Sequence, residues 1–323
     1  MSSDEKNWQP TAPRDVLVQR AQALAHVRKF FANRSVLEVD TPVVVNAPVT
    51  DVHVHSAEVR FPDAPGRFYL HTSPEFAMKR LLASGSGDIF QVCHVARGLE
   101  RGRQHNAEFT LIEWYRLGYS LEQLMDEVEA LARAVLGPVA TSMVSERISY
   151  SQSFQASLGL DPLTAPLDEL RAVAKREGFD QPAAERDELL EFLMSAKIGP
   201  TLGRNALTFI HRYPASQAAL ARLDAEDPRC ALRFELYCEG IELANGFHEL
   251  ASASEQRARF EHDLAARHRR GLHADKMDER LLGALAAGLP DCAGVALGFD
   301  RLMMLLAGAR NIDEVIPFPI ERA

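Results

Sequence analysis

Strand-like runs recur along this chain on both sides of a proline-broken helical stretch, without the regular strand–helix alternation that builds a parallel sheet. The longest are residues 89–96 and 108–117, joined by a charged loop, Gly98-Leu99-Glu100-Arg101-Gly102-Arg103-Gln104. Shorter runs are expected at 36–42, 52–59, 67–72, 208–211 and 232–238. The last of these alternates Leu232, Phe234, Leu236 and Cys238 toward one face. A helix fits 15–33, with Val16, Leu17, Ala21, Leu24, Val27 and Phe31 on one side. Ser73-Pro74-Glu75 opens another: serine caps, proline takes the first helical position and glutamate meets the positive end. A third helix, 120–136, stops at Gly137-Pro138. Residues 254–270 read as a charged surface helix, and an apolar helix starts at Arg301. The expected fold is α+β, an antiparallel sheet flanked by helices. One domain spans 14–323, with a helical insertion at about 151–199 and a flexible tail at 1–13.

Charge and composition exclude several classes. The 36 basic residues face 45 acidic ones, a net charge of −9, which argues against a polybasic arm for nucleic acid or an anionic membrane. No run approaches the roughly 18 apolar residues of a membrane span, and the N-terminus lacks the pattern of a secretory signal. Cys93, Cys230, Cys238 and Cys292 are too scattered for a zinc knuckle. A reduced, cytoplasmic protein with no membrane association is expected.

Three segments could carry chemistry. Arg97, His105, Asn106 and Phe109 bracket the charged loop, and cations beside an aromatic ring suit a polyphosphate carrying a base. A solvated turn would explain the same charges. Glu242 and Glu249 are seven residues apart, an odd spacing that puts them on opposite faces of a straight strand. The Asn245-Gly246 dipeptide is expected to break that period and turn both carboxylates into one pocket, where two hard oxygen ligands suit magnesium. Two surface glutamates are the bland alternative. Gly294-x-x-x-Gly298 before Arg301 lacks P-loop and dinucleotide spacing; its small residues allow a close backbone approach or simply tight packing. His53 and His55 share a strand face but have no evident third ligand.

In order, these segments resemble motifs 1, 2 and 3 of the class II aminoacyl-tRNA synthetases. The matching pieces are LEVDTP (37–42), PEFAMKRLL (74–82), HNAEFTLIEWY (105–115), GIELANGFHEL (240–250) and GVALGFDR (294–301). Within the class the chain looks like the lysyl-tRNA synthetases. It is closer still to their paralogs, which join (R)-β-lysine to a lysine ε-amine of elongation factor P. Motif 1 begins near residue 36, which leaves no room ahead of it for an anticodon-binding domain. A protein acceptor, rather than tRNA, is therefore expected. Ser73 and Ala296 stand where the synthetases usually show alanine and glycine, and the Ala296 methyl is expected to narrow the site.

The resemblance implies a site, residue by residue. Arg97 and Arg301 are the catalytic arginines. ATP would lie against Arg97, Gly98, Leu99, His105, Asn106, Phe109, Glu242, Leu243, Gly298 and Arg301, its adenine between Phe109 and Arg301. The lysine-type substrate would meet Ser73, Pro74, Glu75, Tyr115, Asn245, Glu249 and Ala296. Glu242 and Glu249 would hold Mg2+, and motif 1 would lie at a homodimer interface. One departure stands out. Motif 2 normally reads Phe-Arg-x-Glu, whereas this chain has Ala96-Arg97-Gly98-Leu99. The missing carboxylate should weaken recognition unless Glu100 reaches in from the next position. A non-catalytic regulatory paralog, or a stand-alone amide synthetase using a small amine, therefore stays open.

Overall fold

The computed structural model describes residues 8–64, 66–272 and 276–323. Helix α1 (Arg14–Ala32) leads into β1 (Leu37–Glu38); then β2 (Val44–Val45), β3 (Glu58–Val59) and β4 (Phe68–Leu70) form a small sheet in the order β2-β4-β3. Helix α2 (Glu75–Ala83), the hairpin β5 (Ile89–Ala96) and β6 (Glu108–Leu117), and α3 (Leu121–Leu136) follow. Strand β7 (Val144–Ser149) precedes α4 (Tyr150–Leu158), α5 (Leu167–Arg176) and α6 (Arg186–Leu193). Next come β8 (Ala206–Pro214), β9 (Cys230–Cys238) and β10 (Ile241–His248), then α7 (Ala253–Arg269) and α8 (Glu279–Gly288). Strand β11 (Cys292–Gly298) runs directly into α9 (Phe299–Ala307). Local chemistry sets several ends. Ser120 and Ser149 each form a reciprocal capping box, with Gln123 and Gln152.

The main sheet has eight strands in the order β1-β5-β6-β11-β10-β9-β8-β7. Its inner pairs are antiparallel, but β1 with β5 and β7 with β8 are parallel, so the expected antiparallel sheet is mixed. The reason lies in the connections. Parallel neighbours need a crossover of a dozen or more residues, and the helices α4–α6 supply one between β7 and β8. Helices α1, α3 and α9 cover one face of the sheet around Phe31, Trp114, Val128, Phe234 and Leu297, all buried. A second cluster lies under α4–α6, and a third joins α2 and α8 to Ile89 and Cys292.

Two expected segments differ. Of the tail placed at 1–13, residues 1–7 lie outside the described residues, while the end of the tail is anchored. Thr11 donates its N–H to the Pro317 carbonyl at 2.9 Å and its hydroxyl to the Ile316 carbonyl at 2.8 Å, and Ala12 is buried. Of the strand expected over 52–59, only β3 forms. Residues 50–55 make a strap instead: Thr50 donates to Asp263 at 3.0 Å, Arg267 donates to the carbonyls of Asp51 and Val54, and the Gly98 N–H donates to the His55 carbonyl at 2.7 Å. Backbone groups that a sheet ladder would have used are thereby satisfied by an arginine from α7.

Candidate active site

Strand register determines which side chains meet. Glu113 on β6 lies opposite Ala296 on β11, Ala296 opposite Asn245 on β10, and Asn245 opposite Glu235 on β9. The next rung joins Tyr115, Gly294, Phe247 and Arg233 in the same way. Directly paired residues of antiparallel strands share a face, so these two rungs, all but Glu235, floor a cavity of about 620 Å³ on the side away from α1, α3 and α9. Ser73, Glu75, Arg97, His105, Asn106, Phe109, Glu242, Leu243, Glu249, Gly298 and Arg301 also line it.

A β-bulge places Glu242. Glu242 pairs with Tyr237 but Ala244 with Leu236, so two residues of β10 oppose one step of β9, with Leu243 as the extra one. The bulge moves Glu242 onto the same face as Asn245 and Phe247, and hence as Glu249. The expected break at Asn245-Gly246 is not the cause, since β10 runs straight through it. Gly246 serves the opposite face: a Cβ there would stand 2.5 Å from the Phe234 ring in the core.

At one end of the cavity two arginines are held rigidly. The Arg301 guanidinium donates to the carbonyls of Gln104 (3.2 Å) and Glu242 (2.9 Å) and to His105 Nε2 (2.7 Å). Because arginine only donates, His105 accepts on Nε2 and carries its proton on Nδ1. Burial and the adjacent Arg301 charge lower the His105 pKa, which favours that neutral form. Arg97 donates from Nε to the Thr72 carbonyl at 3.2 Å and lies over the Phe109 ring at 5.1 Å. Gly98 and Leu99 do not line the cavity. Leu99 is 86% exposed on a left-handed turn at φ 67°, whereas Glu100 faces inward, 3.9 Å from Arg97. The Asn106 side chain accepts the Ile320 N–H and donates to the Glu108 carbonyl, so its amide ties the C-terminal segment to the cavity wall.

The other end is acidic. Glu113, buried, accepts from the hydroxyls of Ser73 (2.7 Å) and Tyr115 (2.8 Å). Ser73 also accepts the Glu75 N–H at 3.0 Å, but the helix cap falls on Pro74, one residue later than expected, and Pro74 makes no cavity wall. Burial and the Glu75 charge push the Glu113 carboxyl up to about 7. Lys79, also buried, bridges Glu75 (2.5 Å) and Glu249 (2.6 Å). Burial, opposed by Lys79, pushes the Glu249 carboxyl up to about 8. Gly294 makes the approach possible, because a Cβ there would sit 2.3 Å from the Tyr115 ring and 2.6 Å from Glu249 Oε1.

Glu242 and Glu249 share one cavity, each with its own charged neighbours. Glu249 is neighboured by Lys79, Glu75 and Glu113; Glu242 by Glu235, Arg301, Arg233 and Arg97. The carboxylate that accompanies Glu242 is Glu235, which accepts from Arg233 (2.6 Å) and from the Tyr237 hydroxyl (2.7 Å). Desolvation and the like charge of Glu235 raise the Glu242 pKa. Glu235, Arg233, Glu113 and Lys79 all escaped sequence reasoning. Lys79 alone left a local trace, as the (i, i+4) partner of Glu75. The expected surface helix, α7, is also a cavity wall through Gln256, Phe260 and Asp263.

The model of the tRNA synthetases class II (D, K and N) matches residues 8–322. The chain belongs to that family. Two relatives align over essentially their whole length and 99% of this chain. One, from Salmonella gallinarum, is 49% identical, and the other, from Klebsiella pneumoniae strain 342, is 48% identical. Both carry the name elongation factor P–(R)-β-lysine ligase.

Proposed function

We propose that this chain is an ATP-dependent ligase that activates (R)-β-lysine as its adenylate and transfers it to a lysine ε-amine of elongation factor P. The observation that carries this reading is the division of one cavity: a rigid arginine–histidine end beside Phe109, and an end with three carboxyls, Glu75, Glu113 and Glu249. The first suits a nucleotide triphosphate and the second a substrate bearing ammonium groups. End-to-end identity with two elongation factor P–(R)-β-lysine ligases supports it.

In this reading the arginines act by position. Arg97 would neutralise charge at the α-phosphate as the substrate carboxylate attacks in line and pyrophosphate leaves. Arg301, its guanidinium plane already fixed by three hydrogen bonds, would stack on the adenine opposite Phe109. Neutral His105 would donate from Nδ1 toward the terminal phosphates. An ε-amine of the acceptor would then attack the acyl carbon, forming the amide and releasing AMP. Glu242 and Glu249, both on the cavity wall, would hold Mg2+ in this reading, as hard-oxygen donors that leave its remaining positions to phosphate and water. When bound, the ion would offset triphosphate charge.

The regulatory-paralog reading loses its support, because Glu100 lies beside Arg97 where the missing motif-2 carboxylate was needed. The reading also includes a homodimer, with the exposed Leu37 and Val43 flanking Pro42 at the contact, and a cytoplasmic location beside the translation machinery. Among the described residues no helix is long and apolar enough to cross a membrane. Pyrophosphate exchange with ATP, Mg2+ and either lysine isomer, followed by intact mass measurement of elongation factor P, tests the reaction. Exchange that depends on β-lysine, with a mass gain on the factor, is expected; no exchange with any amino acid overturns the reading. Light scattering in solution tests the dimer.

A further inference from the structure

Lys79 stands one helical turn beyond Glu75, with 1% of its side chain exposed. Its ammonium contacts one oxygen of each of two carboxylates, Glu75 Oε1 at 2.5 Å and Glu249 Oε2 at 2.6 Å. A cation buried this deeply persists only when its partners compensate for lost water. The partners here are the very groups that line the cavity, and each keeps its second oxygen. Glu249 Oε1 lies beside the bare Gly294 backbone and the Tyr115 ring.

The titratable groups packed around this ammonium come from several elements. Glu75 lies on the same helix, Glu113 and Tyr115 on β6, Glu249 just beyond β10, and Cys292 on β11. The Cys292 thiol is pushed up to about 12 by burial and so stays neutral, and burial likewise keeps the Tyr115 phenol neutral. Three carboxyls thus face a single resident cation. When all are ionised, the fixed charge left over matches a substrate that carries two ammonium groups.

We propose that Lys79 is the positioning residue of the amine end: it tethers one oxygen of Glu75 and one of Glu249, and so aims their remaining oxygens at the ammonium groups of a diamino acid. This inference rests on the function proposed above and adds a residue to it. Lys79 touches neither substrate nor nucleotide. It acts through the two glutamates, favouring their ionised forms and fixing their direction before the substrate arrives. A neutral residue of the same length would leave the carboxylates repelling one another and free to rotate.

The test is pyrophosphate exchange by the full-length Lys79→Met protein with ATP, Mg2+ and (R)-β-lysine. The KM for the diamino acid is expected to rise about tenfold or more, as for loss of a buried charged partner, while the KM for ATP stays within about twofold. The acid limb of kcat/KM for the diamino acid should move to higher pH, because removing a positive charge makes the neighbouring carboxyls harder to ionise. Lys79→Arg should restore part of the affinity. Unchanged kinetics, or a parallel rise in both KM values with an unmoved pH profile, overturns the inference and leaves the proposed function standing. If Lys79→Met does not fold, Lys79→Arg carries the test, and diamino-acid and ATP KM values that change equally overturn the inference. Absence of diamino-acid-dependent exchange in the unaltered protein would overturn both.

Discussion

Leu99 occupies the place where the motif-2 pattern has glutamate, and the loop has turned it outward. Its φ of 67° is unusual for a residue with a Cβ, and its side chain makes no wall of the cavity. The same turn brings the Glu100 carboxylate to 3.9 Å from Arg97, on the cavity side of the loop. Ala296 illustrates the opposite case, in which a single methyl matters because of where it stands. It is paired with Glu113 on one side and Asn245 on the other, on the cavity floor between the arginine end and the acidic end. Ala296→Gly enlarges the floor at that point. Kinetics with the two lysine isomers should show selectivity moving toward α-lysine by several-fold, since one methyl group in a pocket is worth about 1–3 kcal/mol. Unchanged selectivity would remove Ala296 from the specificity argument.

Elements reach the site through a few buried ties. Asp300, in the first turn of α9, accepts the Thr110 N–H of β6 at 2.6 Å and the Arg20 guanidinium of α1 at 2.5 Å. Arg20 also donates to the Thr110 hydroxyl at 2.7 Å, closing a triangle one residue from Arg301 and one from Phe109. Asp300→Ala would leave Arg20 buried without its partner, and denaturant unfolding should register a loss of about 3–5 kcal/mol. Such ties also explain which parts were legible beforehand. The β5–β6 hairpin and the α3 boundaries follow from local alternation and capping, so their sequence reading and the structure coincide. Arg233, Glu235 and Tyr237 alternate with buried Phe234, Leu236 and Cys238, and alternation alone assigns such a polar face to solvent. Only long-range register turns it into the floor of a cavity. The ion pair of Glu249 was hidden for the same reason: its contact with Lys79 joins segments 170 positions apart, which no local pattern can announce. The bulge at Leu243 belongs with these, since it is a property of two paired strands.

At the scale of the whole molecule, the buried titratable groups give stability a definite dependence on pH. Burial lowers the pKa of His71, His105 and His211 below the ordinary 6.5, so these rings stay neutral when folded. As pH rises toward 6.5 the unfolded chain loses its advantage of protonating them, and stability increases. Glu113 and Glu249 act in the other direction. Their pKa values rise from 4.5 to about 7 and about 8, so the folded state holds protons that the unfolded chain has already released. Stability from these carboxyls is lost progressively as pH climbs from about 4.5 through the folded values. Above pH 6.5 the histidine contribution levels off while the carboxyl loss continues. The melting temperature of the free protein should therefore fall between pH 6.5 and 8, and calorimetry across that window checks it. Glu113→Gln removes one of the two groups and should flatten the decline. A substrate ammonium favours the ionised carboxylates, so saturating (R)-β-lysine should raise the melting temperature more at pH 8 than at pH 6.5. A protection that weakens with pH would mean that the amine end binds something other than a cation.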